Sequence, residues 1–140
     1  MKTIKLSCAH ALFKYLIAQK TIIDGKKLPL FPGAFAIYGH GNVACLGQAM
    51  EEFQSDLPGY RGHHEQSMAL TGIGYSRAMR RKQIFIATSS VGPGATNMVT
   101  AAAVAMSNRL PILLLPGDTF ASRFPCLLYT SDAADDLLCV

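Results

Sequence analysis

Residues 83–115, QIFIATSSVGPGATNMVTAAAVAMSNRLPILLL, carry the pattern that decides the fold. Residues 83–88 (QIFIAT) form an apolar strand pattern, residues 95–107 (ATNMVTAAAVAMS) a helix of small residues, and residues 111–115 (PILLL) a second apolar strand. Near-continuous apolar strands joined through a helix predict an α/β fold, a parallel sheet covered by helices on both faces. Upstream, residues 34–38 (AFAIY) read as a buried strand ending at Gly39, and residues 57–62 hold a short strand. Helices are expected over 7–19, with Ser7 as N-cap, over 43–53, and over 65–79, where two glycines allow close packing. Residues 21–33 read as a loop with turn signals at Asp24-Gly25 and Pro32-Gly33.

The chain has 140 residues, half of them apolar, which suits one domain with a packed core. No run of 18 apolar residues occurs, and His10 and Lys14 interrupt what would be the apolar region of a signal peptide. A cytoplasmic location with free thiols is the resulting expectation. The four cysteines form no C-x-x-C pair, and His40, His63 and His64 lack a metal-ligand spacing, so no metal site is expected on this chain. Three of the nine acids, Asp132, Asp135 and Asp136, lie in residues 125–140, which hold no Lys or Arg. The first 124 residues therefore carry 13 bases against 6 acids. Those bases are scattered, apart from Arg80-Arg81-Lys82, which reads as a solvated helix end. No aromatic-interleaved basic patch points to nucleic acid, and nothing points to a membrane.

Residues 125–140 (PCLLYTSDAADDLLCV) continue neither period and reverse the sign of the charge. They read as non-native read-through sequence, leaving residues 1–124 as the domain and the chain as the front end of something longer.

In open parallel sheets, ligands bind at the carboxyl ends of the strands. Three segments leave such ends: Gly39-His40-Gly41-Asn42, Arg61 to Gln66, and Thr88 to Asn97. Their glycines allow close backbone approach, and the following helix offers free N–H groups. The loops lack the Lys of a phosphate-binding loop and do not spell G-x-G-x-x-G, so on pattern alone each is an ordinary strand-to-helix turn. Ser89 and Ser90 sit in no G-x-S-x-G elbow. Glu65, first in its helix, reads from spacing alone as an acid complementing the helix dipole. The competing reading is a partly desolvated carboxylate of raised pKa that shares a proton with a ligand nitrogen.

Taken together, GHGN (39–42), H-x-E-Q (63–66) and TSSVGPGATN (88–97) resemble the pyrimidine-binding domain of thiamine-diphosphate enzymes. The longer strings, DGKKLPLFPGAFAIYGHGNVACLGQAMEE (24–52) and residues 80–123 through DTFASR, are similar to the trihydroxycyclohexane-1,2-dione hydrolase family of myo-inositol catabolism. The resemblance covers residues 4–123. It implies thiamine diphosphate and Mg²⁺ as cofactors, a small cyclic dione as substrate, ring opening to 5-deoxyglucuronate, and a homo-oligomer. It also implies that Glu65, followed by Gln66, is the catalytic glutamate that hydrogen-bonds N1′ of the aminopyrimidine. That outweighs the dipole reading. Gly39, His40, Ser90 and Gly92 would line the pyrimidine and substrate pocket. His64 stands where that family more often has Asn, and Cys45 replaces a small residue, expected on a helix packing face. The G-D-G…N motif that holds the diphosphate and Mg²⁺ in this superfamily is absent from these 140 residues, so the chain alone is expected to be inactive. TSSVGPGATN by itself would also suit an acetolactate synthase-like enzyme. A non-catalytic nucleotide- or phosphate-binding module is the alternative of another class.

Overall fold

A computed structural model describes residues 3–118. The elements follow as α1 (Cys8–Ala18), β1 (Lys20–Ile23), β2 (Lys26–Pro29), β3 (Ala34–Ala36), a π-helical turn (Val43–Gly47), α2 (Gln48–Glu52), β4 (Gly59–Arg61), α3 (Glu65–Ala78), β5 (Ile86–Ser89), α4 (Pro93–Asn97), α5 (Val99–Asn108) and β6 (Leu113–Pro116). Strands β4-β3-β5-β6 lie in that order as one parallel sheet, with Ala34 beside both Gly59 and Ile86, and Ile86 beside Leu113.

Strand alternation feeds two cores. Ala34, Ala36 and Ile86 face Ala9, Phe13 and Leu16 of α1 and Ala49 and Met50 of α2. Phe35, Ala87 and Leu114 face Ala69 and Ile73 of α3 and Ala101 and Ala105 of α5. Helices therefore cover both faces, as the apolar strands predict. Phe13, buried to 1% exposure, anchors the first layer. Burying a side chain of that size contributes about 2–3 kcal/mol.

Several expectations need correction. Residues 21–33 are not all loop, because β1 and β2 pair antiparallel across Asp24-Gly25. Both turn residues have positive φ (50° and 77°), the geometry that a two-residue hairpin demands. The helix expected over 43–53 opens as the wider π-helical turn, which packs Leu46 against the core and leaves Cys45 exposed rather than on a packing face. The helix over 95–107 divides at Met98 into α4 and α5. The strand at 83–88 starts later, at Ile86, and runs through Ser89.

Of the two α3 glycines, Gly72 packs closely: a Cβ there would stand 3.0 Å from Ile112 Cδ1 and 3.1 Å from Phe85 Cβ. Gly74 meets nothing within 4 Å and serves no such contact. Ser76 of α3 is fully buried and its hydroxyl has no partner among the described residues. Ser76→Ala should therefore raise stability, by about 0.5–1 kcal/mol, since it removes a desolvated hydroxyl and improves helix propensity. Urea denaturation checks this; a loss of stability would mean that the hydroxyl has a partner.

Among the described residues, no helix is long and apolar enough to cross a membrane. The 125–140 segment lies outside the described residues.

Candidate functional site

The chain leaves β3 toward β4 on one side, while β5 lies on the other. The strand order reverses between β3 and β5, and the carboxyl end of such a switch point is where α/β sheets form a crevice. The loops after these two strands meet there. The Val91 N–H donates to the His40 carbonyl at 3.2 Å, and the Gly117 N–H donates to the Ser89 carbonyl at 2.8 Å. Gly39 packs so closely on Ser90 that a Cβ on it would stand 2.6 Å from Ser90 Cβ.

Asn42, 1% exposed, fastens the junction. Its Oδ1 accepts from the Gly39 N–H at 2.9 Å. Its Nδ2 donates to the carbonyls of Ile37 (3.0 Å) and Ser89 (2.8 Å) and to Thr88 Oγ1 (3.3 Å). Gly92, at φ 63° and ψ −119°, turns the chain into α4 in a conformation that side chains resist.

α3 begins at the same rim. His64 caps it, its Nδ1 accepting from the Ser67 N–H at 3.2 Å, which places Glu65 in the first turn. Glu65 is half-buried. Its Oε2 accepts from Asn97 Nδ2 at 3.0 Å, and the same amide lies 3.2 Å from His64 Nε2. Oε1 takes no hydrogen bond from the described residues and lies against Gly94, where a Cβ would stand 3.1 Å from Oε1 and 2.6 Å from Ser90 Oγ. Glu65, Gly94, Ser90 and Gly39 thus form one continuous patch, with carboxylate, glycine backbone and hydroxyl in sequence. The amide aims the carboxylate, and the absence of a side chain at Gly94 lets Oε1 and Ser90 Oγ approach the same backbone.

The structure brings Glu65, Gly39 and Ser90 together, with Gly92 at the turn beside them. His40 contributes its backbone, while its exposed imidazole, like that of His63, makes no hydrogen bond among the described residues. His40 also borders a surface depression with Gly39, Gly41, Asn42 and Cys45. Beside it, Tyr38 donates to Met50 Sδ at 3.7 Å. Burial, and secondarily the Glu51 carboxylate, raise the Tyr38 phenol above its ordinary pKa. Reasoning from sequence missed the individual roles of Asn42, Gly94 and Asn97. All three stood inside quoted motifs, but their partners are 32 to 47 residues away in two of the cases. Among the described residues, no three His, Cys, Asp or Glu side chains come together as a metal site.

The family described as "Thiamine pyrophosphate enzyme, N-terminal TPP binding domain" matches residues 33–133. A Clostridium tetani protein named 3D-(3,5/4)-trihydroxycyclohexane-1,2-dione hydrolase is 53% identical over 125 residues, covering 89% of this chain and 19% of that relative. Proteins of the same name from Geobacillus thermodenitrificans and Halalkalibacterium halodurans are 54% and 50% identical over 125 residues, again 89% of this chain and 20% of each relative. The chain spans about a fifth of the length of the curated relatives it matches.

Proposed function

The chain belongs to the thiamine pyrophosphate enzyme family, through that family's N-terminal TPP binding domain, and on that premise we propose that it forms the pyrimidine-facing part of the site in a carbon–carbon hydrolase. The observation that carries this reading is the half-buried Glu65 carboxylate at the switch-point rim, with Oε2 held by Asn97 and Oε1 turned to Gly94.

The residues fit an aminopyrimidine. A carboxylate oxygen without a protein donor can accept from a protonated ring nitrogen, and side-chain-free glycines admit a flat ring to their backbone. Thiamine diphosphate, when bound, supplies an electron sink for negative charge at a former carbonyl carbon. This chain's part is narrower. Glu65 Oε1 holds or releases a proton at the ring nitrogen, Asn97 keeps the carboxylate pointed there, and Gly39, Ser90 and Gly92 shape the wall. His40 joins that wall through its backbone. Mg²⁺ belongs with the diphosphate end, whose G-D-G motif does not occur in these 140 residues.

The substrate reading is a trihydroxycyclohexane-1,2-dione opened to 5-deoxyglucuronate in a homo-oligomeric parent enzyme. It is supported by the names of the three relatives and by identity near 50%. The test is a chimera in which residues 4–123 replace the matching stretch of the Geobacillus protein. Dione turnover dependent on thiamine diphosphate is expected from the chimera, and none from the 140-residue chain. A folded chimera that binds cofactor but makes acetolactate from pyruvate, or does not open the dione, would overturn the assignment. Turnover by the chain alone would overturn its proposed dependence on a separate diphosphate-binding part.

A further inference from the structure

The end of α3 opposite Glu65 carries a second constellation. α3 has 14 residues, which at 1.5 Å per residue places its C-terminus about 20 Å from Glu65, at the amino rim of the sheet. The helix closes with the Arg80 N–H donating to the Arg77 carbonyl at 3.1 Å and the Arg81 N–H to the Ser76 carbonyl at 2.8 Å. α5 closes alike, with Arg109 N–H to Met106 and Leu110 N–H to Ala105, at 3.1 and 2.9 Å. Such caps need a left-handed residue, and Gly is the one that adopts it without a Cβ penalty. Both caps hold arginine instead: Arg80 at φ 51° and Arg109 at φ 52°, with Arg81 also left-handed at φ 64°.

The two helix ends enclose an open cleft of about 500 Å³ lined by Arg77, Arg80, Arg81, Asn108 and Leu110. Among the described residues, no carboxylate lines it and none of these arginines, nor Arg109, is in an ion pair. Arginine near a helix C-terminus offsets the dipole, but two helix ends supply only about half a negative charge each. The three guanidinium groups that line the cleft exceed that by roughly two charges. A solvated helix end accounts for the run Arg80-Arg81-Lys82 alone. It does not account for three arginines, two of them left-handed, lining one cleft against the end of α5.

We propose that this cleft binds a phosphate-class dianion, either free inorganic phosphate or the phosphoryl group of a small metabolite. Guanidinium forks match phosphoryl oxygens two at a time. The test titrates the full 140-residue chain at constant ionic strength with inorganic phosphate, with glycerol 3-phosphate and with acetate, following the arginine Nε–H resonances by NMR. Saturable shifts at Arg77, Arg80 and Arg81, with Kd near about 1 mM or below, are expected for one or both phosphates. Tighter binding of glycerol 3-phosphate identifies a metabolite site, and tighter binding of inorganic phosphate a free-anion site. The variant Arg80→Gly/Arg81→Gly suits the left-handed backbone, so its thermal midpoint should hold or rise while binding weakens about tenfold or more. Unsaturated shifts, an equal response to acetate, or undiminished binding in the double variant would overturn the proposal.

Discussion

Glu65→Gln in the chimera is expected to lower kcat for dione opening by about 10²–10⁴-fold, the range over which a positioned proton-transfer group acts. Glutamine keeps the length and the acceptor oxygen, so Asn97 can still hold it. It loses the ability to exchange a proton at the ring nitrogen. The ordinary role of an acid in a first helical turn predicts something else. Removing that charge costs about 0.3–1 kcal/mol of stability and leaves kcat alone. The two roles therefore separate on two readouts, kcat and the urea midpoint. Glu65→Asp sharpens the comparison, because it preserves the charge for the dipole but withdraws the carboxylate from Asn97 and Gly94 by one methylene. A kcat in the aspartate variant equal to that of the parent, or a glutamine variant with full activity, would remove Glu65 from the chemistry. Asn97→Ala is the companion, since it frees the carboxylate without removing it. Its kcat should fall less than that of Glu65→Gln.

The sheet was legible because β3, β5 and β6 are apolar on both faces, and few other structures bury such runs. The site was legible only in part. The position of Glu65 at a helix start could be read from spacing, yet spacing alone favoured a dipole role, and the resemblance reversed that weighing. Its hydrogen bond to Asn97 depends on how α3 and α4 meet, which no local pattern encodes. The hairpin was missed because KTII and KKLP are short and lack a clean alternation, leaving Asp24-Gly25 as the only signal. The split at Met98 and the wide turn at Val43–Gly47 follow from packing at the switch point, not from helix period. Likewise Arg80-Arg81 stood out as a run, but its approach to the end of α5 follows from strand order, which places β6 beside β5.

That strand order also makes Asn42 the residue whose loss should matter most to the rim as a structure. Asn42→Ala is expected to destabilise the 140-residue chain by about 3 kcal/mol or more, read from urea denaturation. Four hydrogen bonds end on one amide that is 1% exposed, so water cannot readily replace them. The substitution strands the Gly39 N–H and the Ile37 carbonyl and leaves the Ser89 carbonyl with the Gly117 N–H alone, and each unmet group costs about 1–3 kcal/mol. Asn42→Asp separates hydrogen bonding from volume. Its shape is the same, and one carboxylate oxygen can still accept from Gly39. The other would face the carbonyl oxygens of Ile37 and Ser89 where Nδ2 now donates at 3.0 and 2.8 Å. The aspartate variant should thus be at least as unstable as the alanine variant despite leaving no cavity. Were aspartate close to the parent, the amide donors would count for little, and the loops of β3 and β5 would be held together by glycine packing and the Val91–His40 backbone bond. The consequence reaches the proposed chemistry, because Gly39 meets Ser90, and Ser90 meets Gly94 beside Glu65, only while those two loops stay fastened.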